Sequence, residues 1–278
     1  YHFSLIRAMH LKSYFLMLIS VLLLLSCNMD GSRDKADELF QEGQFEAALD
    51  QYDKFIKYNP KDEFAIFNRG RSREETGDFD GAYDDYTKLI SMRINTKLAL
   101  VARARCSFNL DNYKGVVMDM NTLLKQDPSN IEALYLRGTS LMKLGKNNQA
   151  TNDLDKLVSI EPENVQALIS RGAAYARGGQ GPFAIENFDR ALAIDPGLEV
   201  AYFNKGVVFV FHEYWSEAIR NFTKAIDLEP EYAEAYTRRG LTKLNSRRHS
   251  IKQACDDFEK GEEYGDEAAS AGLEEYCK

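Results

Sequence analysis

Residues able to do chemistry are few in this chain, and their spacing does not bring them together. Of the four histidines, only His212 and His249 lie beyond the N-terminal leader, each in an expected turn far from any Ser or Cys nucleophile. Asp84-Asp85 and Asp256-Asp257 are neighbouring acids on expected helices. Successive side chains on a helix diverge, so neither pair can share a reacting group. Gly178-Gly179-Gln180-Gly181 has the glycines of a phosphate-binding loop, but no strand precedes it and Pro182 starts a helix, so it reads as a turn between helices. The cysteines, at 27, 106, 255 and 277, are too scattered with so few histidines to build a multi-ligand zinc site. The expectation is no catalytic residue, no metal, no cofactor and no enzyme.

Composition limits the remaining classes. The chain has 278 residues, 44% hydrophobic, with 35 basic and 43 acidic side chains. That apolar content excludes wholesale disorder. A net charge of −8 argues against a general nucleic-acid binder, which needs a basic face.

The elements that hold these residues repeat. Prolines at 60, 128, 162, 196 and 230 and glycines at 70, 138, 172, 206 and 240 recur at intervals of 34 or twice 34 residues. One repeat has lost both markers, at Ile94 and Ala104. A small residue recurs at Ala48, Ala82, Val116, Ala150, Ala184 and Ala218. Four positions later stands a large one: Tyr52, Tyr86, Met120, Leu154, Phe188 and Phe222. Each unit reads as a helix carrying the Gly, a short turn, a second helix carrying the Ala and the large residue, and a Pro that ends it. For one unit the spacing predicts helices over Glu132–Leu144 and Asn148–Ile160. The small residues mark close helix crossings, and the large one fills the space opposite. A single pair cannot cover its apolar stripe, so the units must stack.

The chain resembles the tetratricopeptide repeat (TPR) family, through segments such as Ala201-Tyr202-Phe203-Asn204-Lys205-Gly206 and Ala218 to Pro230. The resemblance implies an all-α, right-handed α-solenoid of seven stacked helix-turn-helix units: 29–62, 63–96, 97–130, 131–164, 165–198, 199–232 and 233–266. The first unit has Ala36 in the Gly slot. The seventh carries a two-residue insertion near Arg247–Ser250 that moves its pair to Ala254 and Phe258. The solenoid is expected over 34–266, with 267–278 as a C-terminal capping helix.

The N-terminus reads as a sorting signal. From Met9, taken as the start, a short basic stretch with His10 and Lys12 leads to an apolar run of twelve residues, Tyr14 to Leu25. A membrane-spanning helix needs roughly 20, so the run fits a signal-peptide core. It ends in Leu24-Leu25-Ser26-Cys27, which resembles the bacterial lipoprotein box. The resemblance implies a lipoprotein-type signal peptide over 1–26, lipidation of Cys27 and a short linker over 27–33; the alternative is a plain secretory site beside an incidental Cys. Cleavage removes Arg7 and Lys12 and no acid, which lowers the net charge from −8 to −10. By the same resemblance, Asn28 after the cysteine points to an outer-membrane lipoprotein facing the periplasm.

A basic residue precedes each Gly slot: Arg69, Arg103, Arg137, Arg171, Lys205 and Arg239. These could form a phosphate-binding ladder. The matched second-helix slots hold Asp85, Asp119, Asp153, Asn187, Asn221 and Asp257, which favours ion pairs within each repeat.

In the TPR family the first helices line the concave face, six and three residues before the Gly slot and one, four and five after it. The lining residues are then Phe64, Phe67, Arg71, Leu98, Val101, Arg105, Phe108, Tyr135, Thr139, Met142, Val200, Phe203, Val207, Val210 and Phe211. Apolar and aromatic side chains with arginine mark an interaction surface. The expected partner is another protein, held as a peptide segment or amphipathic helix with its acids on Arg71 and Arg105. The alternative is that curvature buries these side chains against one another. Chaperone-tail binders of this family clamp a terminal carboxylate around a central Asn, and Asn68 and Asn204 occupy that slot. Arg33, Asp37, Leu98 and Ala102 flank the first, and Ile169, Ala173, Glu234 and Arg238 the second, so both clamps are incomplete.

Cys255 and Cys277 are each eleven residues from Asp266, at the centre of an expected turn. Helices folded about it could join them in a disulfide, or leave two separately buried thiols. Cys106 reads as a small core residue. The functional expectation is a non-catalytic interaction scaffold, lipid-anchored at the cell envelope. An accessory glycan- or small-molecule-binding lipoprotein is the alternative, although Trp215 is placed in a turn, off the groove.

Overall fold

The computed structural model describes residues 33–246 and 249–278. The expected signal peptide, the expected lipidation site at Cys27 and most of the expected linker lie outside these residues, as do Arg247 and Arg248 of the expected insertion. The described residues form fifteen helices and no strand. Helix α1 covers 33–41, so Arg33 is already helical. It is followed by α2 (Phe45–Tyr58), α3 (Glu63–Glu75), α4 (Phe79–Ser91), α5 (Thr96–Asn109), α6 (Tyr113–Gln126) and α7 (Ile131–Lys143). Then come α8 (Asn147–Ile160), α9 (Val165–Arg177), α10 (Gly181–Ile194), α11 (Glu199–Phe211), α12 (Trp215–Leu228), α13 (Ala233–Ser246), α14 (Ile251–Glu263) and α15 (Glu267–Tyr276). Trp215 is thus the first residue of α12 and not part of a turn.

The helix ends follow from the residues there. Asp62, Asn130 and Asn164 each accept the backbone N–H three residues on, at 2.8–3.0 Å, satisfying a donor that the first turn cannot. Ser250 and Gln253 form a capping box at the start of α14. Gly145 and Gly179 turn the chain between paired helices at φ +72° and +74°, a conformation that costs glycine nothing.

Two compact units divide the chain, one ending at Leu123 and the other running from Leu124 to Lys278. The core of the first is a run of Ala36, Ala48, Ala65, Ala82, Ala99 and Ala102 interleaved with Tyr52, Ile66, Tyr86 and Leu89, all essentially inaccessible. Small residues let the backbones approach, and each buried large side chain contributes about 1.5–3 kcal/mol. The second unit repeats the scheme with Ala150, Ala184, Ala218 and Ala254 beside Leu154, Phe188, Phe222 and Phe258.

The glycines are small for a measurable reason. A Cβ at Gly70 would lie 2.8 Å from Tyr86 Cε1, at Gly172 2.7 Å from Phe188 Cε1, and at Gly240 2.9 Å from Phe258 Cε1. At these three crossings the first helix is pressed at its glycine onto the aromatic of its own second helix.

The last pair is closed by α15. Ala269 is buried there, and a Cβ at Gly272 would lie 3.0 Å from the Phe258 ring. Cys255 of α14 and Cys277, just past α15, form a disulfide with Cα atoms 5.8 Å apart.

Candidate functional site

The basic ladder is internal structure. In the first unit Arg69 donates to Asp85 and, at 2.7 Å, to Asp53, while Arg103 donates to Asp119 at 2.8 and 2.6 Å and to Thr87 at 3.1 Å. In the second, Arg137 forms a two-pronged pair with Asp153, and Arg239 with Asp257 as well as a bond to Thr223. Arg69, Arg103 and Arg239 therefore each tie their own second helix to that of the preceding repeat. The ion pair within the repeat is lost where the acid is replaced by Asn. Lys205 pairs with Asp189 of the repeat before it, and Asn221 donates instead to the Glu217 carbonyl, 2.8 Å away. Arg171 keeps both links, to Asn187 at 2.6 Å and Asp155 at 3.2 Å. The acids at 85, 119, 153 and 257 are buried, so these pairs are part of the core and offer no open anion site.

In the first unit the expected groove residues divide. Phe64 and Leu98 are exposed, at 58% and 60%. Val101 is buried, and Phe67 turns inward onto the Tyr86 ring, with centroids 5.5 Å apart. Phe108 packs edge-on against Tyr113. Both arginines expected to meet a partner's acids have contacts of their own: Arg71 lies over the Phe40 ring at 4.7 Å, and Arg105 is 3.5 Å from Glu74. Asn68 donates to Asp37 at 3.0 Å, which leaves it engaged in a small polar network with Tyr52 and not facing a ligand.

The second unit holds a formed cleft of about 290 Å³ on α9, α11 and α13. Its walls are Val207 and Phe211, 37% and 75% exposed, over the buried Phe203 and Val208. Ala173 and Ala176 of α9 are short, and this is what opens the space. Its polar groups are Asn204 on α11, Arg177 at the end of α9, His212 after α11, and Glu234 with Arg238 on α13. Glu234 and Arg238 form an ion pair one turn apart, at 3.2 Å. Arg177 has no ion pair among the described residues. His212 sits edge-on against Phe211, with ring centres 5.3 Å apart.

Of the expected groove residues, Phe203, Val207 and Phe211 line this cleft, and Val200, Thr139, Val210, Tyr135 and Met142 do not. Tyr135 instead accepts from Gln166 at 3.0 Å, on the same unit. None of the expected groove residues lies on α9. Arg177 nevertheless stands five residues after its Gly slot, as Phe211 does after its own, so the same spacing rule would have found it.

No cluster of three His, Cys, Asp or Glu side chains able to hold a metal occurs among the described residues. None of their helices is long and apolar enough to cross a membrane. Cys106 is buried, and burial together with nearby Glu74 pushes its thiol up to about 12, the opposite of an activated nucleophile.

A family model described as tetratricopeptide repeat matches residues 33–113 and 135–199. A search of the curated proteins found no significant match. Among solved structures, a tetratricopeptide repeat protein from Parabacteroides merdae is 21% identical and covers 90% of this chain and 99% of its own, with a TM-score of 0.74. The C-terminal part of a TPR repeat-containing protein from Cytophaga hutchinsonii is 14% identical, covers 87% and 99%, and has a TM-score of 0.66. YrrB, described as a TPR protein with an unusual peptide-binding site, is 22% identical, covers 71% and 97%, and has a TM-score of 0.56. Likeness at these identities shows a shared fold.

Proposed function

Since the chain belongs to the tetratricopeptide repeat family, whose members generally serve as protein-binding scaffolds, we propose that it is a non-catalytic scaffold that holds a segment of another protein in the cleft of α9, α11 and α13. The observation that carries this reading is the exposure of Val207 and Phe211 over an apolar floor. On a chain with net charge −8, such a patch beside a formed cleft has the character of a recognition surface. The solved structure of YrrB, with its reported peptide-binding site, is consistent with a peptide ligand for this fold. The partner is a peptide segment or an amphipathic helix, and the reading needs neither metal nor cofactor.

The scaffold is anchored at the bacterial envelope through a lipidated Cys27, on the outer membrane and facing the periplasm. The apolar run before Ser26-Cys27 and the disulfide of Cys255 with Cys277 support a secreted, oxidising location. Substituting Cys27 by Ser is expected to abolish incorporation of labelled palmitate, and continued incorporation would overturn the anchor.

A photo-crosslinking residue at Phe211, with another at the exposed Met118 of α6 as control, tests the scaffold in the native envelope. Discrete protein adducts at 211 and not at 118 are expected. Equal labelling at both, or none at 211, would refute the cleft.

A further inference from the structure

Resting on that reading of the cleft, we propose that the bound segment is internal to its protein and carries an acidic side chain beside a large apolar one, the acid on Arg177 and the apolar group on Val207 and Phe211. The two ends of the cleft differ in charge. At one end, Arg177 closes α9 with no acid to neutralise it among the described residues; its backbone carbonyl accepts from Asn147 Nδ2 at 3.1 Å, which fixes the end of the helix while the guanidinium stays exposed. At the other end, Glu234 already occupies Arg238 at 3.2 Å, so that cation is compensated and its partner repels a second carboxylate. An approaching acid is therefore favoured at Arg177 over the Glu234 side, and the apolar walls of α11 stand beside a helix whose alanines leave the space clear.

A chain terminus suits the cleft less well. A terminal carboxylate needs convergent donors, and beside the guanidinium the cleft offers Asn204, flanked by Ala173 and the negative Glu234, and His212 beyond the end of α11. A single side-chain carboxylate needs only the guanidinium, which can meet both of its oxygens at once. Because Arg177 is exposed, its pair contributes modestly and acts more on selectivity than on total affinity.

The test uses random peptides displayed on phage and fused through their C-termini, so that none offers a free carboxyl end. They are panned on the purified protein and on Arg177→Glu, Arg177→Gln, Val207→Asp and Phe211→Ala. Circular dichroism confirms that each variant is helical, and the glutamine variant stands in for the glutamate one if charge reversal disturbs α9. The expected pool is enriched in Asp or Glu close to Leu, Ile or Phe. Arg177→Gln should weaken selected peptides by about two- to fivefold, the range of an exposed ion pair. Arg177→Glu should select Lys or Arg in place of the acid. Peptides that depend on Val207 and Phe211 but show no acid, or the same acid with Arg177→Glu, would overturn the proposal and leave the cleft standing. No enrichment, or enrichment indifferent to Val207→Asp and Phe211→Ala, would overturn both.

Discussion

Gly206 of α11 lies directly on the ring of Phe222 of α12: a Cβ at 206 would sit 2.6 Å from Cε1 and 2.7 Å from Cδ1. Phe222 is fully buried and cannot swing aside. Alanine normally stabilises a helix interior by up to about 1 kcal/mol over glycine. Here overpacking, typically about 1–3 kcal/mol, outweighs that gain. Gly206→Ala is therefore expected to lower the urea midpoint, and Gly206→Ala with Phe222→Leu to cost less than the sum of the two single changes. Additive effects would show that the two residues do not press on each other.

The buried pair of Arg103 and Asp119 gives a second test. Asp119 is 3% exposed and its two oxygens take both prongs of the guanidinium. Arg103→Ala leaves that carboxylate buried and unpaired, at a cost of about 3 kcal/mol. Replacing both partners, as Arg103→Met with Asp119→Leu, is expected to recover most of the loss. Equal destabilisation by the single and the double change, measured by denaturant unfolding, would contradict this.

Reduction tests the closing helix. The disulfide of Cys255 with Cys277 closes a loop of 22 residues, which the chain-entropy account values at about 3 kcal/mol. Helix α15 has ten residues and buries only Ala269 and Gly272, so it depends on that link. Reduced protein is expected to show faster amide exchange over 267–276 than oxidised protein. Unchanged exchange would mean that packing on Phe258 holds α15 unaided.

Alkaline pH should weaken the first unit. Burial raises the Cys106 thiol from its ordinary 9.0 to about 12, and burial together with its hydrogen bond to Glu74 raises Tyr86. Both groups are held neutral in the folded chain and ionise more readily once unfolded. Their stabilisation is complete below the unfolded values and is lost as pH climbs towards the folded ones. The urea midpoint is expected to fall between about pH 9 and pH 12, with native Cys106 unreactive to alkylation throughout that approach. A midpoint that rises over this range would reverse the sign and refute the account.

Much of the molecule was legible in the residue order because its decisive contacts recur at fixed spacing. Gly70 and Tyr86, Gly172 and Phe188, and Gly206 and Phe222 are each sixteen residues apart, one helix and a turn, so the pattern of small and large side chains announces where two helices touch. The same spacing joins Arg103 to Asp119 and Arg137 to Asp153. Of the candidate site, Phe203, Val207 and Phe211 were legible from their distance to Gly206.

The rest depended on contacts that no single repeat encodes. The same basic side chains also reach back sixteen residues, as Arg69 does to Asp53 and Lys205 to Asp189, because stacking lays one second helix beside the next. Arg71 and Arg105 look alike in sequence to a free cation, yet Phe40 and Glu74, brought close only by packing, take them up. The cleft needs three first helices at once: the aromatics of α11 matter because α9 contributes alanines opposite them, leaving Arg177 uncompensated at the edge. Amino-acid order thus determined the helix pairs and their crossings, which are short-range and periodic. Tertiary structure decided which side chains were left over, because a surface residue's neighbours come from other repeats.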